Sequence, residues 1–534
     1  MGRVLVLGLD GFEPSLADTM IASGSLPSLA RIREKSARFL LDHGSARETG
    51  LAWEHVSSGL SPEDAERWSA ISFDKNTYGV VQEGPLFDPF PSRIAAKSVV
   101  FDFPYFDLLR ARGVQGAVSW GAHDSGTDFC SNPSELGDEI LEQHGDYPAR
   151  DWIYAFAWPS SDRCRRMGDA LADGVALRSR IAQWLLAERF PDWELALIGV
   201  SESHSVLEGL WHGVDTGHPL NSHASSRAAA EGIQKVYRAI DRLVGTLTEQ
   251  VEDATILLFS MHGMGANRSD VPSMVLLPEL LHRHAFGRPL FEQPESWSLA
   301  ADGVPILGQE ENWTIPFPHR KSMLERARSA LSRVFRRHNG QTPGGGPASE
   351  RRRSLDWMPA ARYQPLWHKM PAFALPSFYD GQIRINLQGR EREGVVPLER
   401  YETFCEEIRQ TLKDCRDPFS GECAVESIHI THGQEPLSLA ASGADLYVSW
   451  KENLLCLEHP DLGRVGPVPF RRTGGHTGLH GMAYLKSNVL VPGDYGIRSS
   501  FDVVPTLFDL FEDRLPERIS GHSLTRSVGS CAHS

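Results

Sequence analysis

"SSRAAAEGIQKVYRAIDRLVGTLTEQVEDATILLFSMHG", residues 225–263, joins two patterns without a break. In its first part apolar residues return every three or four positions, the spacing that lines one face of a helix. Then comes "ATILLFS" (254–260), apolar without alternation, as expected of a strand buried on both faces. A helix feeding a fully buried strand is half of a βαβ unit, and such units build mostly parallel sheets. The chain then reaches Met261, His262 and Gly263. Loops that leave strand ends carry the chemistry of α/β folds, so His262 is a candidate metal ligand. Met261 is a poor donor for the hard or borderline cations that hydrolases use.

The same alternation recurs outward from this stretch. "RVLVLGL" (3–9) reads as a strand, and "PSLADTMIASGSLPSLARIREKS" (14–36) as one or two short helices punctuated by Gly24 and Pro27. "ADGVALRSRIAQWLLAERF" (172–190) has helical spacing and leads into "WELALIGVSE" (193–202), a second buried strand. The expected fold class is α/β: a doubly wound, mostly parallel sheet sandwiched by helices. Regularity weakens over 268–355. There "RRHNGQTPGGGPASERRRS" (336–354) reads as a Gly/Pro/Arg-rich disordered linker. The basic helix before it, "KSMLERARSALSRVFRR" (321–337), is read as packing its Met, Leu, Val and Phe face on the domain and not on a membrane surface. The expected division is a core over 1–267, a variable insertion over 268–355 that forms a lid, a second part of the core over 356–525, and a loose tail over 526–534.

A chain of 534 residues is too long for one simple core, so two domains, or one large domain with insertions, are expected. The formal charge of −15 argues against a general nucleic-acid or anionic-membrane binder. It leaves a phosphorylated substrate open, because a metal cluster reverses the sign locally. The seven cysteines are widely spaced, with no C-x-x-C, which suits free thiols in a reducing compartment. "MGRVLVLGLDG" is a strand and not a signal peptide, and Val6 stands where a myristoylation motif needs Ser or Thr. No segment approaches the ~20 apolar residues of a membrane span. The chain therefore reads as cytoplasmic, with no stable membrane association.

Five places carry chemistry. Asp10 ends the first strand and would aim a carboxylate out of the carboxyl edge of the sheet, or cap a turn. Thr49, in "ARETGLAWEHVSSGLSP", is an N-cap or a nucleophile favoured by a helix N-terminus and a metal. In "VSESHSVLEGLWHGVD", His204, Glu208 and His212 are spaced by four, which puts them on one face of a helix. A His and a carboxylate one turn apart can hold a cation; a capping or surface pair is the alternative. His262 is the fourth place. His476, in the Gly-rich turn "RRTGGHTGLHG", is the fifth. Each falls just after an expected strand or just inside the next helix.

In this order the residues resemble the alkaline phosphatase superfamily, and within it the type I phosphodiesterase/nucleotide pyrophosphatase family. "LGLDGFEP" with "GSLPSLARI" looks like the family's opening strand and helix, and "TGLAWEHVSSGLSP" like its nucleophile segment. "DGQIRINLQGREREGVV" is close to its Asn-Leu-x-Gly-Arg-Glu segment, and "SSFDVVPTLFDLFEDRLPERISGHSL" resembles its C-terminal end. The resemblance covers most of the chain. It implies an active site with two metal ions, usually zinc, about 4 Å apart. Thr49 matches the nucleophile, Asp10 the first-strand ligand, His262 the His of an Asp-His-Gly, and His476 the late His of the other site. The chain departs from the pattern in three ways. An Asp-x-x-x-His pair is replaced by His204 and Glu208. Met261 replaces the Asp before His262. The His-Gly-Ile after the nucleophile helix is missing, and that region reads "PEDAERWSAISFD".

The resemblance implies a metal-dependent hydrolase of phosphoric esters with a threonine nucleophile. The expected metal sites are Asp10, Thr49 and His262 on one side and His204, Glu208 and His476 on the other. Zinc is the expected divalent metal, as one or two ions, with manganese as the alternative. The expected partner is a small phosphorylated or nucleotide-like substrate. The alternatives are a catalytically impaired binding protein on the same fold, and a transferase that passes the phosphoryl group to an alcohol.

Overall fold

Nine runs of residues meet in one sheet. In chain order they are β1 (Val4–Leu9), β2 (Ala37–Asp42), β3 (Ser98–Phe101), β4 (Val114–Val118), β5 (Cys130–Asn132), β6 (Leu195–Val200), β7 (Thr255–Ser260), β8 (Gly481–Lys486) and β9 (Gly493–Ser499). The computed structural model describes residues 2–123, 126–154, 160–297, 304–307, 313, 317, 352–353, 355, 357–431 and 435–526. The basic helix expected at 321–337, most of the 336–354 linker and most of the tail lie outside the described residues.

The sheet order is β9-β2-β8-β7-β1-β6-β3-β4-β5. Parallel pairing joins β1 to β6 and β7, β3 to β4 and β6, and β2 to β9. β8 runs antiparallel between β2 and β7, and β5 is an antiparallel edge. Burial follows this order. β1, β3 and β6 are buried at every position, which is why they read as continuous apolar runs. The edge strand β9 is largely exposed and carries Asp494 and Arg498, charges that discourage pairing with another chain.

Helices cover both faces. On one side Ser161–Trp184 and Ser226–Gln250 pack into an apolar core with β1 and β6 side chains such as Leu5, Leu7 and Ile198. They cross at Gly168 and Gly232, where a Cβ on Gly168 would lie 2.5 Å from the Gly232 Cα. On the other side Ala52–Ser58 and Val503–Leu510 bury Trp53, Val504 and Phe508 against Val6, Leu197 and Phe259.

A third core belongs to a smaller antiparallel sheet. Its strands Ala372–Leu375, Gly381–Ile385, Leu446–Trp450 and Val425–Ile430 are neighbours in that order. The helices Leu277–Phe286 and Tyr401–Lys413 pack on it. The Asn-Leu-x-Gly-Arg-Glu segment lies here as a buried charge network. Arg390 donates to both Asp445 oxygens at 2.8 and 2.7 Å, Arg384 to Glu391 at 2.8 Å, and Tyr401 to Asp445 at 2.7 Å. Asn386 accepts from Tyr78 at 2.7 Å and donates to the Trp367 and Met370 carbonyls. The C-terminal Asp-x-x-Pro-Thr is a latch. Asp502 accepts from the His522 N–H and Thr506 from the Leu524 N–H, both at 2.8 Å. Both motifs hold the fold through these bonds, none of which involves a candidate site residue.

Candidate metal centre

Because β1, β6 and β7 are parallel neighbours, their carboxyl ends open at one edge, the place where α/β sheets bind ligands. Asp10 follows β1 directly. The helix Glu202–Leu210 begins two residues past β6 and carries His204 and Glu208 one turn apart. His262 lies two residues past β7. β8 enters from the same edge because it runs the other way. The strand before it, Gly474–Gly478, pairs antiparallel with Gly263–Ala266 and brings His476 to His262. An ion clamp underlies the arrangement. Buried Arg178 donates to Asp102, just past β3, at 2.7 Å and to Glu202 at 3.0–3.1 Å, tying two strand ends together.

Five of the six expected site residues meet. Asp10 Oδ2 is 2.9 Å from His204 Nδ1. His204 Nε2 is 3.2 Å from Glu208 Oε1 and 2.8 Å from His476 Nε2. His476 Nδ1 is 2.9 Å from His262 Nε2, and His262 Nδ1 faces the Gly263 carbonyl at 3.1 Å. Thr49 is buried but turned into its own loop. Its hydroxyl donates to the Ala46 carbonyl at 2.8 Å and accepts from the Leu51 N–H at 3.1 Å. It comes near through Gly50, which packs on Tyr379, whose ring stands edge-on to His476 at 5.1 Å. His212 does not join the set. Its ring is taken by Ser225 at 3.0 Å and Thr473 at 3.4 Å. Met261 is buried in the apolar core with Trp53 and Phe259 and is a packing residue.

The structure adds residues that the sequence reading missed. His123, five positions past β4, stacks on the His204 ring at 3.8 Å, with Nε2 3.6 Å from Glu208 Oε2 and Nδ1 3.2 Å from Ser205 Oγ. His43 follows β2 and joins Ser500 Oγ at 2.5 Å to His55 at 3.1 Å, with its ring 6.4 Å from that of His262. Both obey the strand-end rule that picked out Asp10 and His262, so that signal was present. Arg472 is different. It ion-pairs with Glu208 and holds Asp270 through two bonds of 2.7 Å, a role with no local pattern.

Burial dominates the electrostatics. It lowers His262 to about 4 and His55 to about 3. It also carries His476 well below the usual imidazole range, helped by His262 and His204. Burial, the largest single influence, opposes the charged form of Asp10, but His204, His123 and Trp53 together hold the carboxyl below its ordinary value. Buried neutral imidazoles beside carboxylates are the donors that zinc and other borderline divalent cations take. His123, His204 and Glu208 each place one ligand atom within 4.8 Å of the others. The residues present fit a divalent cation.

No family model and no curated protein matches the chain. Solved structures similar to it include phosphonoacetate hydrolase from Sinorhizobium meliloti 1021 in complex with phosphonoformate, at 14% identity over 94% of each chain, with a TM-score of 0.46. Human ectonucleotide pyrophosphatase/phosphodiesterase 5 is similar at 10% identity over 96% of each chain, with a TM-score of 0.47. The murine counterpart, an inactive variant in complex with AMP, is similar at 10% identity over 98% of this chain and 97% of that one, with a TM-score of 0.45.

Proposed function

We propose that the chain is a metal-dependent hydrolase of phosphoric esters, with Thr49 as nucleophile and Asp10, His204, Glu208, His262 and His476 around the cation. One observation carries this reading: ligand-type side chains from the ends of β1, β6, β7 and the approach to β8 converge, buried, within hydrogen-bond distance of one another. Burying that many polar groups is costly unless each finds a use. A divalent cation held there favours the alkoxide form of an attacking hydroxyl and offsets charge on the phosphoryl oxygens.

The chain's own residues supply the rest. Thr49 Oγ leaves the Ala46 carbonyl and bonds to phosphorus as the P–O ester bond breaks, its proton going to the departing ester oxygen to give the free alcohol; water then cleaves the phosphothreonine, releasing phosphate and restoring the Thr49 hydroxyl. The substrate is a small phosphorylated molecule, with zinc or manganese as the cation. The inward-turned Thr49 hydroxyl and the packed Met261 favour a second reading, a binding protein on the same scaffold. Turnover of nitrophenyl phosphate mono- and diesters by the zinc-loaded protein separates the two. Thr49→Ala should cost ~10³-fold or more in kcat/KM with an unchanged circular dichroism spectrum, as removal of a covalent nucleophile does. A Thr49→Ala protein as active as the parent, or a parent that turns over no ester, would overturn the hydrolase reading.

A further inference from the structure

We propose that His43 and His55 are positioning residues: the hydrogen bond between their rings staples the two ends of the loop that carries Thr49 and fixes that loop against the histidines of the sheet edge. This rests on the reading of Thr49 as the nucleophile.

The loop is short and its ends are marked. β2 stops at Asp42, and His43 follows. The tight turn Gly44–Thr49 comes next, and Gly50, at φ +72°, leads through Leu51 into the helix Ala52–Ser58, which carries His55. His43 Nε2 and His55 Nδ1 are 3.1 Å apart, and both rings are buried. The bond therefore closes the chain on itself from 43 to 55, with Thr49 midway between. The Thr49 hydroxyl bonds only inside the loop, to Ala46 and Leu51, so it does not determine where the loop sits.

The staple is anchored on one side and faces the site on the other. His43 Nδ1 is 2.5 Å from Ser500 Oγ. Phe501 stacks on the His43 ring at 5.1 Å and lies 5.6 Å from that of His55. Toward the sheet edge, the His43 ring is 6.4 Å from that of His262. Burial chiefly, with Arg47 of the loop among the smaller causes, pushes both rings below the usual imidazole range. The loop thus lies close enough to both histidines for its own cation to act on them.

Counting protons shows what the pair is for. A neutral imidazole has one N–H and one lone pair, which leaves two arrangements. Either Ser500 donates to His43 Nδ1 and His43 Nε2–H donates to His55 Nδ1, or both bonds run the other way. In the first, His55 Nε2 carries an unmatched proton, and in the second an unmatched lone pair. That nitrogen is buried and has no hydrogen-bond partner among the described residues. Two apolar side chains of similar shape would avoid the cost and could be as stable. What they would not supply is direction. A hydrogen bond holds at one distance and angle, whereas apolar surfaces slide past one another. Such a bond is of most use where position matters more than stability, and the loop it closes holds Thr49.

Steady-state kinetics of the zinc-loaded full chain on nitrophenyl phosphate esters test this, together with hydrogen exchange of segment 44–51 read by mass spectrometry. His55→Leu should lower kcat at least ~10-fold, as small misplacements of a reacting group do. Its KM and zinc affinity should stay within ~2-fold of the parent, because no ligand is touched. His55→Asn sets an amide near the place of Nδ1 and should keep kcat within ~3-fold of the parent. Exchange in 44–51 should quicken at least ~10-fold in His55→Leu and stay near the parent rate in His55→Asn. His55→Leu with a lowered urea midpoint but the parent kcat would make the pair a stability device and overturn its positioning role. So would a His55→Asn chain no better than His55→Leu. In either case an active parent leaves the hydrolase reading standing, whereas a parent that turns over no ester would overturn both. Ser500→Ala covers the case of a His55→Leu chain that fails to fold. It cuts the link at its anchored end and should quicken exchange and lower kcat in the same direction, and parent values for both would overturn the proposal.

Discussion

His262 and His218 are held at about 4, and His55 and His212 at about 3, with burial the first cause in each case. All four are neutral in the fold down to pH values at which a free imidazole, near 6.5, is already charged. The sign follows. Below about pH 6.5 the unfolded chain binds protons that the folded chain refuses, so stability is full above that pH and is lost as pH falls toward 4. Each such group costs up to about 1.4 kcal/mol per pH unit in that window, and four together approach the ~5–15 kcal/mol that stabilises a typical protein. The metal-free chain should therefore show a urea midpoint that drops steeply between pH 6.5 and 5, before most carboxylates titrate. A midpoint flat over that range would mean that these rings are not buried neutral. At this scale the sequence was informative where chemistry follows a strand. Asp10, His204, Glu208, His262 and His476, singled out by position, come together at the sheet edge, and His123 and His43 also follow strands of that sheet. Arg472 was not legible, because its role depends on Glu208 and Asp270, which are 264 and 202 positions away in the chain.

The helix Glu202–Leu210 carries two ligand-type residues, and its placement depends on one glycine. Gly11 has φ +57°, a conformation that L side chains rarely adopt, and a Cβ there would lie 2.8 Å from the Cα of His204. Gly11→Ala should push the start of this helix off the end of β1, at a cost of about 1–3 kcal/mol for the strained backbone and overpacking together. It should also weaken zinc binding without altering a single donor. Thermal unfolding and a zinc titration check both. A variant that matches the parent in both would mean that the helix is held elsewhere, by the Arg178–Glu202 clamp for instance. The elements themselves were legible for a physical reason. β1, β6 and β7 are buried on both faces and so cannot alternate, and the Ser161–Trp184 and Ser226–Gln250 helices bury one face each. The smaller sheet was harder to see. Its central strands Gly381–Ile385 and Leu446–Trp450 pair antiparallel across a connection of sixty residues, from 386 to 445, and its charge network of Arg384, Arg390, Glu391 and Asp445 reads locally as a polar surface, although it is buried. The motif that carries the resemblance in the sequence therefore does its physical work in the core of the smaller sheet.

Across the whole molecule, the centre joins parts of the chain that are far apart in sequence. His123 and His204 come from the first half, whereas Arg472 and His476 arrive only after the smaller sheet has been built between residues 372 and 450. No donor set exists in the unfolded chain, so an ion that binds here binds the fold and stabilises it by mass action. Zinc at one hundred times its dissociation constant should raise the unfolding free energy by about 2.7 kcal/mol, read as an upward shift of the urea midpoint with unchanged slope. Glu208→Gln keeps the volume of the side chain but removes the charge that faces His123 and Arg472, so it should abolish the shift. The variant keeps the bonds between Arg472 and Asp270 but removes the Glu208 charge, and it should be less stable than the parent even without zinc, since a buried ion pair has lost one member. These two effects separate cleanly. The second appears in chelator and the first only on adding metal. A zinc-dependent shift of equal size in parent and Glu208→Gln would place the ion elsewhere in the chain, away from the histidines that converge at the sheet edge.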